Sequence, residues 1–251
     1  MMIKKKFIKL VKSLGQFFGL NITRYEPFTD FFSQLDLIFK IAEINLIFDI
    51  GANRGQFVEG ISNAGYCGKI VCFEPLSSVR KDLENLSNRL PNLFLHPQCA
   101  VGDSEGLIEF NIAGNSVSSS VLPMLEIHSH LANKSAYTNC ETVRLIRLDS
   151  VLENYLKYES NLFIKIDTQG YELQVLRGAK VALNQARGVL CELSFVSLYE
   201  GQAPWRDIVD LLENEGFVLM ALYRGFVDPR NGRYLQMDGI FLRKEFVADS
   251  V

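Results

Sequence analysis

In this chain of 251 residues, glycines and carboxylates recur at the points where short apolar runs end. The first such point is Asp49-Ile50-Gly51-Ala52-Asn53-Arg54-Gly55, which follows an apolar run and precedes a helical pattern. Glycines let backbone bend sharply and approach a ligand, and the free N–H groups of a helix that follows favour an anionic group. The second is Phe73-Glu74-Pro75, and the third is Gln98-Cys99-Ala100-Val101-Gly102-Asp103. The fourth, Ile164-Lys165-Ile166-Asp167-Thr168-Gln169-Gly170-Tyr171-Glu172, is the most distinctive. The fifth is Cys191-Glu192-Leu193.

The first turn is that of a nucleotide-binding site. A dinucleotide fingerprint needs glycines at 51, 53 and 56, and the chain has Asn53 and Gln56 instead, so the spacing that cradles a pyrophosphate is broken. S-adenosyl-L-methionine has no pyrophosphate. Its amino-acid end carries an ammonium and a carboxylate, and Asp49 can complement the ammonium directly or through water. Glu74 can accept hydrogen bonds from both ribose hydroxyls, which suits either cofactor. Small residues around Ala100 leave room for adenine, with Asp103 as an acceptor at its amide edge.

Methyl transfer from a sulfonium is an in-line displacement, so the protein's task is to align an oxygen and take its proton. Asp167 and Glu192, each at the carboxyl end of an apolar run, are the candidate proton acceptors, and Asp238 is a third. Each has a structural alternative, in which it binds backbone amides or orients the acceptor. His128 and His130 form an H-x-H pair on a suspected lid that could act as a base or bind metal, but they lack the tight ligand cluster of a zinc site, so they read as exposed loop histidines and no metal is expected. Trp205, behind Pro204, reads as an anchor at a helix start.

The elements that must position these residues are legible as repeated βα units. Leu46–Ile50, Lys69–Phe73, Leu93–His96, Leu162–Ile166 and Val189–Leu193 have the continuous apolar texture of strands buried on both faces. Helical stretches 56–63, 77–90, 171–185 and 204–215 lie between and after them. The fold expected is α/β: a doubly wound, Rossmann-like, mostly parallel sheet that ends in an antiparallel hairpin of Phe217–Tyr223 and Gly239–Arg243. Residues 114–142, rich in Ser and Asn between the β-like runs Leu107–Ile112 and Val143–Leu148, read as a lid or substrate loop, or as a disordered excursion. Residues 1–44 form a helical extension ahead of the domain at 45–251. It contains an amphipathic helix over 2–18 and a second helix from Phe28 to Ala42, with Asp30 and Asp36 on its polar side.

Composition narrows the class. With 48% apolar and 22% charged residues the chain is globular. Its formal charge of −3 divides into +6 over residues 1–24 and −9 over the rest. An acidic body argues against nucleic acid as a partner. Two uses fit the basic tip: packing against the domain or a second subunit, or lying on an anionic membrane surface. Singly spread cysteines suggest a reducing compartment, and no apolar run is long enough to span a bilayer. The cytoplasm is the expected location, with the inner face of a membrane the alternative if residues 2–18 bind lipid.

Together the turn at Asp49–Gly55, Phe73-Glu74-Pro75, Ser118-Ser119-Ser120, Leu148-Asp149, Lys165–Gly178, Cys191-Glu192-Leu193 and Gln236-Met237-Asp238-Gly239-Ile240-Phe241 resemble the FkbM family of methyltransferases over roughly residues 45–243. The resemblance implies a class I S-adenosylmethionine-dependent enzyme that methylates a hydroxyl, commonly of a sugar or polyketide. It places Gln169 among the cofactor-side residues, where the family usually has Glu. The expected function is O-methylation of a sugar hydroxyl in a glycan, glycolipid or glycosylated natural product. Competing readings are a methyltransferase of another small-molecule acceptor, an adenosine-binding scaffold or regulatory protein without catalysis, and a nicotinamide-dependent dehydrogenase, which the glycine spacing disfavours.

Overall fold

Runs of β-branched and aromatic residues alternate with amphipathic ones from residue 46 onward, and strands alternate with helices accordingly. The computed structural model describes residues 2–20, 22, 30–157 and 159–247. Helices α1 (Met2–Phe17) and α2 (Phe31–Ile41) come first, then β1 (Leu46–Ile50), α3 (Gln56–Asn63), β2 (Lys69–Phe73), α4 (Arg80–Arg89) and β3 (Leu93–Leu95). They are followed by β4 (Ala100–Val101), β5 (Gly106–Ala113), α5 (Glu126–Leu131), β6 (Tyr137–Ile146), α6 (Leu148–Val151) and β7 (Leu162–Ile166). The chain continues through α7 (Glu172–Arg177), α8 (Lys180–Gln185), β8 (Ala186–Ser194), α9 (Trp205–Asn214), β9 (Phe217–Arg224) and β10 (Gln236–Arg243).

One seven-stranded sheet has the order β3-β2-β1-β7-β8-β10-β9. Its first five strands are parallel, and β10 runs antiparallel between β8 and β9. The strand order reverses between β1 and β7. In open α/β sheets a crevice forms at such a reversal, outside the carboxyl ends of the strands, and there ligands bind.

Strand residues alternate between two cores, as the two-residue period of a strand requires. Leu46, Phe48, Ile50, Leu162, Ile164 and Ile166 face α7, α8 and α9, whereas Ile47, Phe163 and Leu190 face α2, α3 and α4. Asp49 and Lys165 lie on this second face, buried and paired across β1 and β7 at 2.9 Å. Lys165 Nζ also donates to the carbonyl of Gly51 at 2.8 Å. Burial opposes the ammonium charge, but the carboxylates of Asp49 and Asp167 outweigh it and hold the Lys165 pKa above its ordinary value.

The elements depart from the sequence reading in several places. The second helix begins at Phe31, and Asp30 is its N-cap, accepting from Ser33 N at 2.9 Å, so it is not on the helix's polar side. Phe28, the expected start, lies outside the described residues. The helix expected over 171–185 is two helices separated at Gly178 and Ala179. Asp149 from α6 supplies the missing cap of the second, accepting from Val181 N and Ala182 N at 3.1 and 3.0 Å. Leu148 opens α6 and does not extend a strand, and the short strand β4 was not foreseen. Strands β5 and β6 pair with each other, with β4 alongside β6, in a separate three-stranded sheet.

The segment 114–142 is ordered as well. Its second part is strand β6, and Leu122, Met124, Ile127 and Leu131 pack on Leu198, Tyr199 and Leu235. His128 is buried, against the expectation of an exposed loop histidine. Its edge meets Tyr199 with ring centroids 5.1 Å apart, and burial lowers its pKa to about 4. His130 is exposed. Trp205 starts α9 and packs edge-on against Phe195 at 5.3 Å.

The paired charges between β1 and β7 yield a stability prediction. Lys165→Met is expected to cost about 3–5 kcal/mol in urea denaturation, because Asp49 is left buried and unpaired. The double substitution Asp49→Leu with Lys165→Met should recover much of that loss. Equal midpoints for the wild type and Lys165→Met would show that the pair carries no constraint.

Candidate active site

A cavity of about 450 Å³ opens at the carboxyl ends of β1, β2 and β7. Gly51 forms its floor after β1 at φ +77°. A Cβ added there would stand 1.9 Å from the carbonyl oxygen of Asp167. The glycine is therefore required by the neighbouring β7 backbone itself, beyond any ligand. Asn53 lines the cavity in the left-handed region at φ +47°, a conformation Asn tolerates, which accounts for a turn that lacks a second early glycine. Gly55 is left-handed at φ +87° and caps α3 without lining the cavity.

Glu74 is buried in the wall. Its Oε2 accepts from Asn53 N at 2.6 Å and its Oε1 from Leu76 N at 2.8 Å. Burial pushes its pKa up to about 7, with the two backbone N–H groups holding it back. A carboxylate oxygen can accept more than one hydrogen bond, so Glu74, which lines the cavity, keeps acceptor capacity suited to adjacent hydroxyls. Cys99, Ala100, Val101 and Tyr171 also line the cavity. Asp103, placed by the sequence reading at an adenine edge, is exposed and does not line the cavity. Asp49 also lies outside it: its fully buried carboxylate faces Lys165, with Cys72 Sγ 3.9 Å away, so the side chain offers no direct contact to an ammonium.

The cavity also has acidic lining. Asp167 and Asp238 line it, and Glu192 is paired opposite Asp238 across β8 and β10. Gln169 bridges the carboxylates: its Nε2 donates to Asp167 Oδ1 at 2.9 Å and to Glu192 Oε2 at 3.2 Å. Its Oε1 accepts from the Tyr199 hydroxyl at 2.9 Å. Gln236 Nε2 donates to the same Glu192 oxygen at 2.6 Å. Burial first, then the neighbouring carboxylates, raise Glu192 well above the usual range, and Asp238 is raised to about 6 by the same causes. Lys165 stands 3.7 Å from Asp167, the nearest positive charge. Glu172, raised to about 7 mainly by burial, accepts from Thr168 N and Gly170 N at 3.0 Å and holds the turn after β7.

Distant segments complete the walls. In the triplet Ser118-Ser119-Ser120, Ser119 lines the cavity, while Ser120 Oγ donates to Gln169 O at 2.7 Å and Ser118 O accepts from the Tyr199 hydroxyl at 3.0 Å. These contacts hold Gln169 at φ +54°, an uncommon conformation for a non-glycine residue. Ser116, Val117 and Val121 line the cavity on that side, and Phe31 and Phe32 of α2 line it on another. Sequence reading missed Lys165, Gln236, Tyr199 and the two phenylalanines as site residues. A lysine between Ile164 and Ile166 in a doubly buried strand was the available signal for the first, whereas nothing in the sequence linked α2 to the crevice.

Gln169 is the neutral member of an acidic group. Gln169→Glu would replace two donated hydrogen bonds with like charges, so folding would retain protons that the unfolded chain releases. A carboxyl whose folded pKa is raised contributes stability below its unfolded pKa and loses it as pH rises through the folded value. Stability of the variant is therefore expected to fall more steeply than wild type between about pH 5 and 8, read from urea midpoints. Parallel pH profiles for the two proteins would refute the bridging role.

Residues 49–219, more than half of the chain, match the family described as the methyltransferase FkbM domain. The chain is 28% identical over 194 residues to the 2-O-methyltransferase NoeI of Sinorhizobium fredii (strain NBRC 101917 / NGR234), covering 71% of this chain and 74% of that protein. Among solved structures, magnesium protoporphyrin IX methyltransferase (ChlM) from Synechocystis PCC 6803 with bound SAM aligns with a TM-score of 0.44 at 10% identity, over 84% of this chain and 77% of that one. The fibrillarin pre-rRNA processing protein of Methanococcus jannaschii aligns with a TM-score of 0.45 at 10% identity, over 81% and 68%. With the doubly wound sheet, the crevice at its strand reversal and this match across it, the chain belongs to the FkbM family of S-adenosylmethionine-dependent methyltransferases.

Proposed function

We propose that the protein transfers a methyl group from S-adenosylmethionine to a hydroxyl of a sugar, in a glycan, a glycolipid or a glycosylated natural product. The observation that carries this reading is the pair of carboxylates, Asp167 and Asp238, that line the same cavity as Glu74. A polyol offers hydroxyl donors to such acceptors, and the 2-O-methyltransferase relative supports the same acceptor class.

Glu74 and the Gly51–Asn53 turn would hold the adenosine ribose, with Ala100 and its neighbours against the base. Bound there, the cofactor supplies a methyl group on a sulfonium. What remains for the chain is to align an acceptor oxygen and remove its proton. Asp167 is assigned the proton-acceptor role because it lines the cavity and is half-exposed, with Lys165 and the Gln169 amide to steady its carboxylate. Glu192 is assigned a positioning role, since two amides occupy its oxygen and burial favours its protonated form.

Incubation with methyl-labelled S-adenosylmethionine and a panel of oligosaccharide and lipid-linked sugar acceptors tests the reading. Labelled sugar methyl ethers are expected, and label found only on amines or not at all would refute it. Asp167→Asn should leave cofactor affinity unchanged and lower turnover by about 10²–10⁴-fold. Loss of affinity with an unchanged single-turnover rate would move the proton-acceptor role to Asp238.

Cofactor affinity should depend on pH. The Glu74 carboxylate, with its pKa raised to about 7, loses an acceptor as it protonates, so affinity should fall in calorimetric titrations as pH drops through that value. Glu74→Gln is expected to flatten this dependence and to cost about 1.5–3 kcal/mol of binding at alkaline pH. An unchanged affinity would remove Glu74 from the site.

A further inference from the structure

We infer that α1 is a membrane-surface anchor that lays its apolar stripe into an anionic phospholipid bilayer. The stripe is bare. Phe7, Leu10, Leu14, Phe17 and Phe18 are 65%, 59%, 51%, 83% and 70% exposed, although helical spacing sets them on one side of the helix. Helical spacing turns Lys9 and Lys12 away from the stripe and sets Lys6 at its margin, and no acid occurs in Met2–Phe17. Among the described residues no ion pair joins α1 to the acidic body. No helix there is long and apolar enough to cross a membrane, which leaves an in-plane position at the headgroup boundary.

The charge pattern selects the occupant. Pairing of two copies through this stripe would bury its apolar residues, but it would set the Lys6 ammonium groups beside the seam and leave the lysines of both helices with no acid on either helix to offset them. An anionic lipid surface instead accepts both faces at once: the acyl boundary takes the phenylalanines and leucines, and the headgroup phosphates take the ammonium groups. Lysine stems on such helices reach toward the phosphates while their carbons cover apolar surface. The stripe lies outside residues 49–219, so the anchor is separate from the methyltransferase match.

The test is co-sedimentation of the full chain with vesicles of phosphatidylglycerol and phosphatidylcholine, compared with phosphatidylcholine alone. Binding is expected only with the anionic vesicles. It should weaken at least about tenfold when salt rises to a level where the Debye length is about 3 Å. The triple variant Lys6→Gln, Lys9→Gln, Lys12→Gln and the double variant Phe7→Ser, Leu14→Ser should each lose it, with affinity for S-adenosylmethionine unchanged. No acceptor is present, so the outcome stands apart from methyl transfer. Absence of binding at low salt, equal binding to neutral vesicles, or full binding by either variant would overturn the inference. So would a dimer in solution that Phe7→Ser, Leu14→Ser converts to a monomer without any vesicle binding.

Discussion

A single buried ion pair organises the crevice. Asp49 and Lys165 face each other across adjacent parallel strands, inside an otherwise apolar core. Removing both charges from water costs several kcal/mol per ion, which their attraction repays only when the geometry is good and the remaining donors are satisfied. Lys165 meets that condition by donating to the carbonyl of Gly51 as well. The turn after β1 is thereby tied to β7, and Gly51 comes so close to the Asp167 carbonyl that no side chain fits between them. The turn after β1 and the Asp167 segment after β7 are thus placed relative to each other by one lysine.

The second constraint is the accumulation of acid at the strand edge. Asp167, Glu172, Glu192 and Asp238 converge where Lys165 is the near cation, and burial and mutual repulsion raise three of them. Neutral amides make this crowd tolerable: Gln169 and Gln236 direct N–H groups at the carboxylates, and Tyr199 fixes the Gln169 amide from its carbonyl side. Like charges gathered in a low-dielectric site spread their pKa values apart. Such a spread suits a site that must orient a polar acceptor and also receive a proton.

The walls around this edge come from segments far apart in the chain. The strap between β5 and β6 docks through Ser120 onto the turn after β7 and through Ser118 onto Tyr199, and helix α2 closes another side with Phe31 and Phe32. Phe31 also stacks edge-on against Tyr223 of β9, which ties that wall to the end of the main sheet. The family domain and helix α2 therefore share one cavity, although only the former carries the family's sequence pattern.

The sequence by itself determined the alternation of strand and helix, the two-faced burial of β1, β2, β7 and β8, and the terminal hairpin. These rest on local periodicity, which survives in any window of the chain. It also located Gly51, Glu74, Asp167 and Gln169 at strand ends, because a change from apolar to polar residues marks an edge. What it could not decide was depth. Asp49 and Asp167 share a face of the sheet with Lys165, but the pairing of β1 with β7 sets Asp49 inside the sheet opposite Lys165, whereas Asp167 stands just past the end of β7, in the crevice. Likewise His128 read as a loop residue until packing on Tyr199 buried it, and Phe31 and Phe32 read as ordinary helix stripe until α2 docked beside the site. Contacts between residues distant in sequence carry no local periodic signal, so those assignments belonged to the tertiary structure alone.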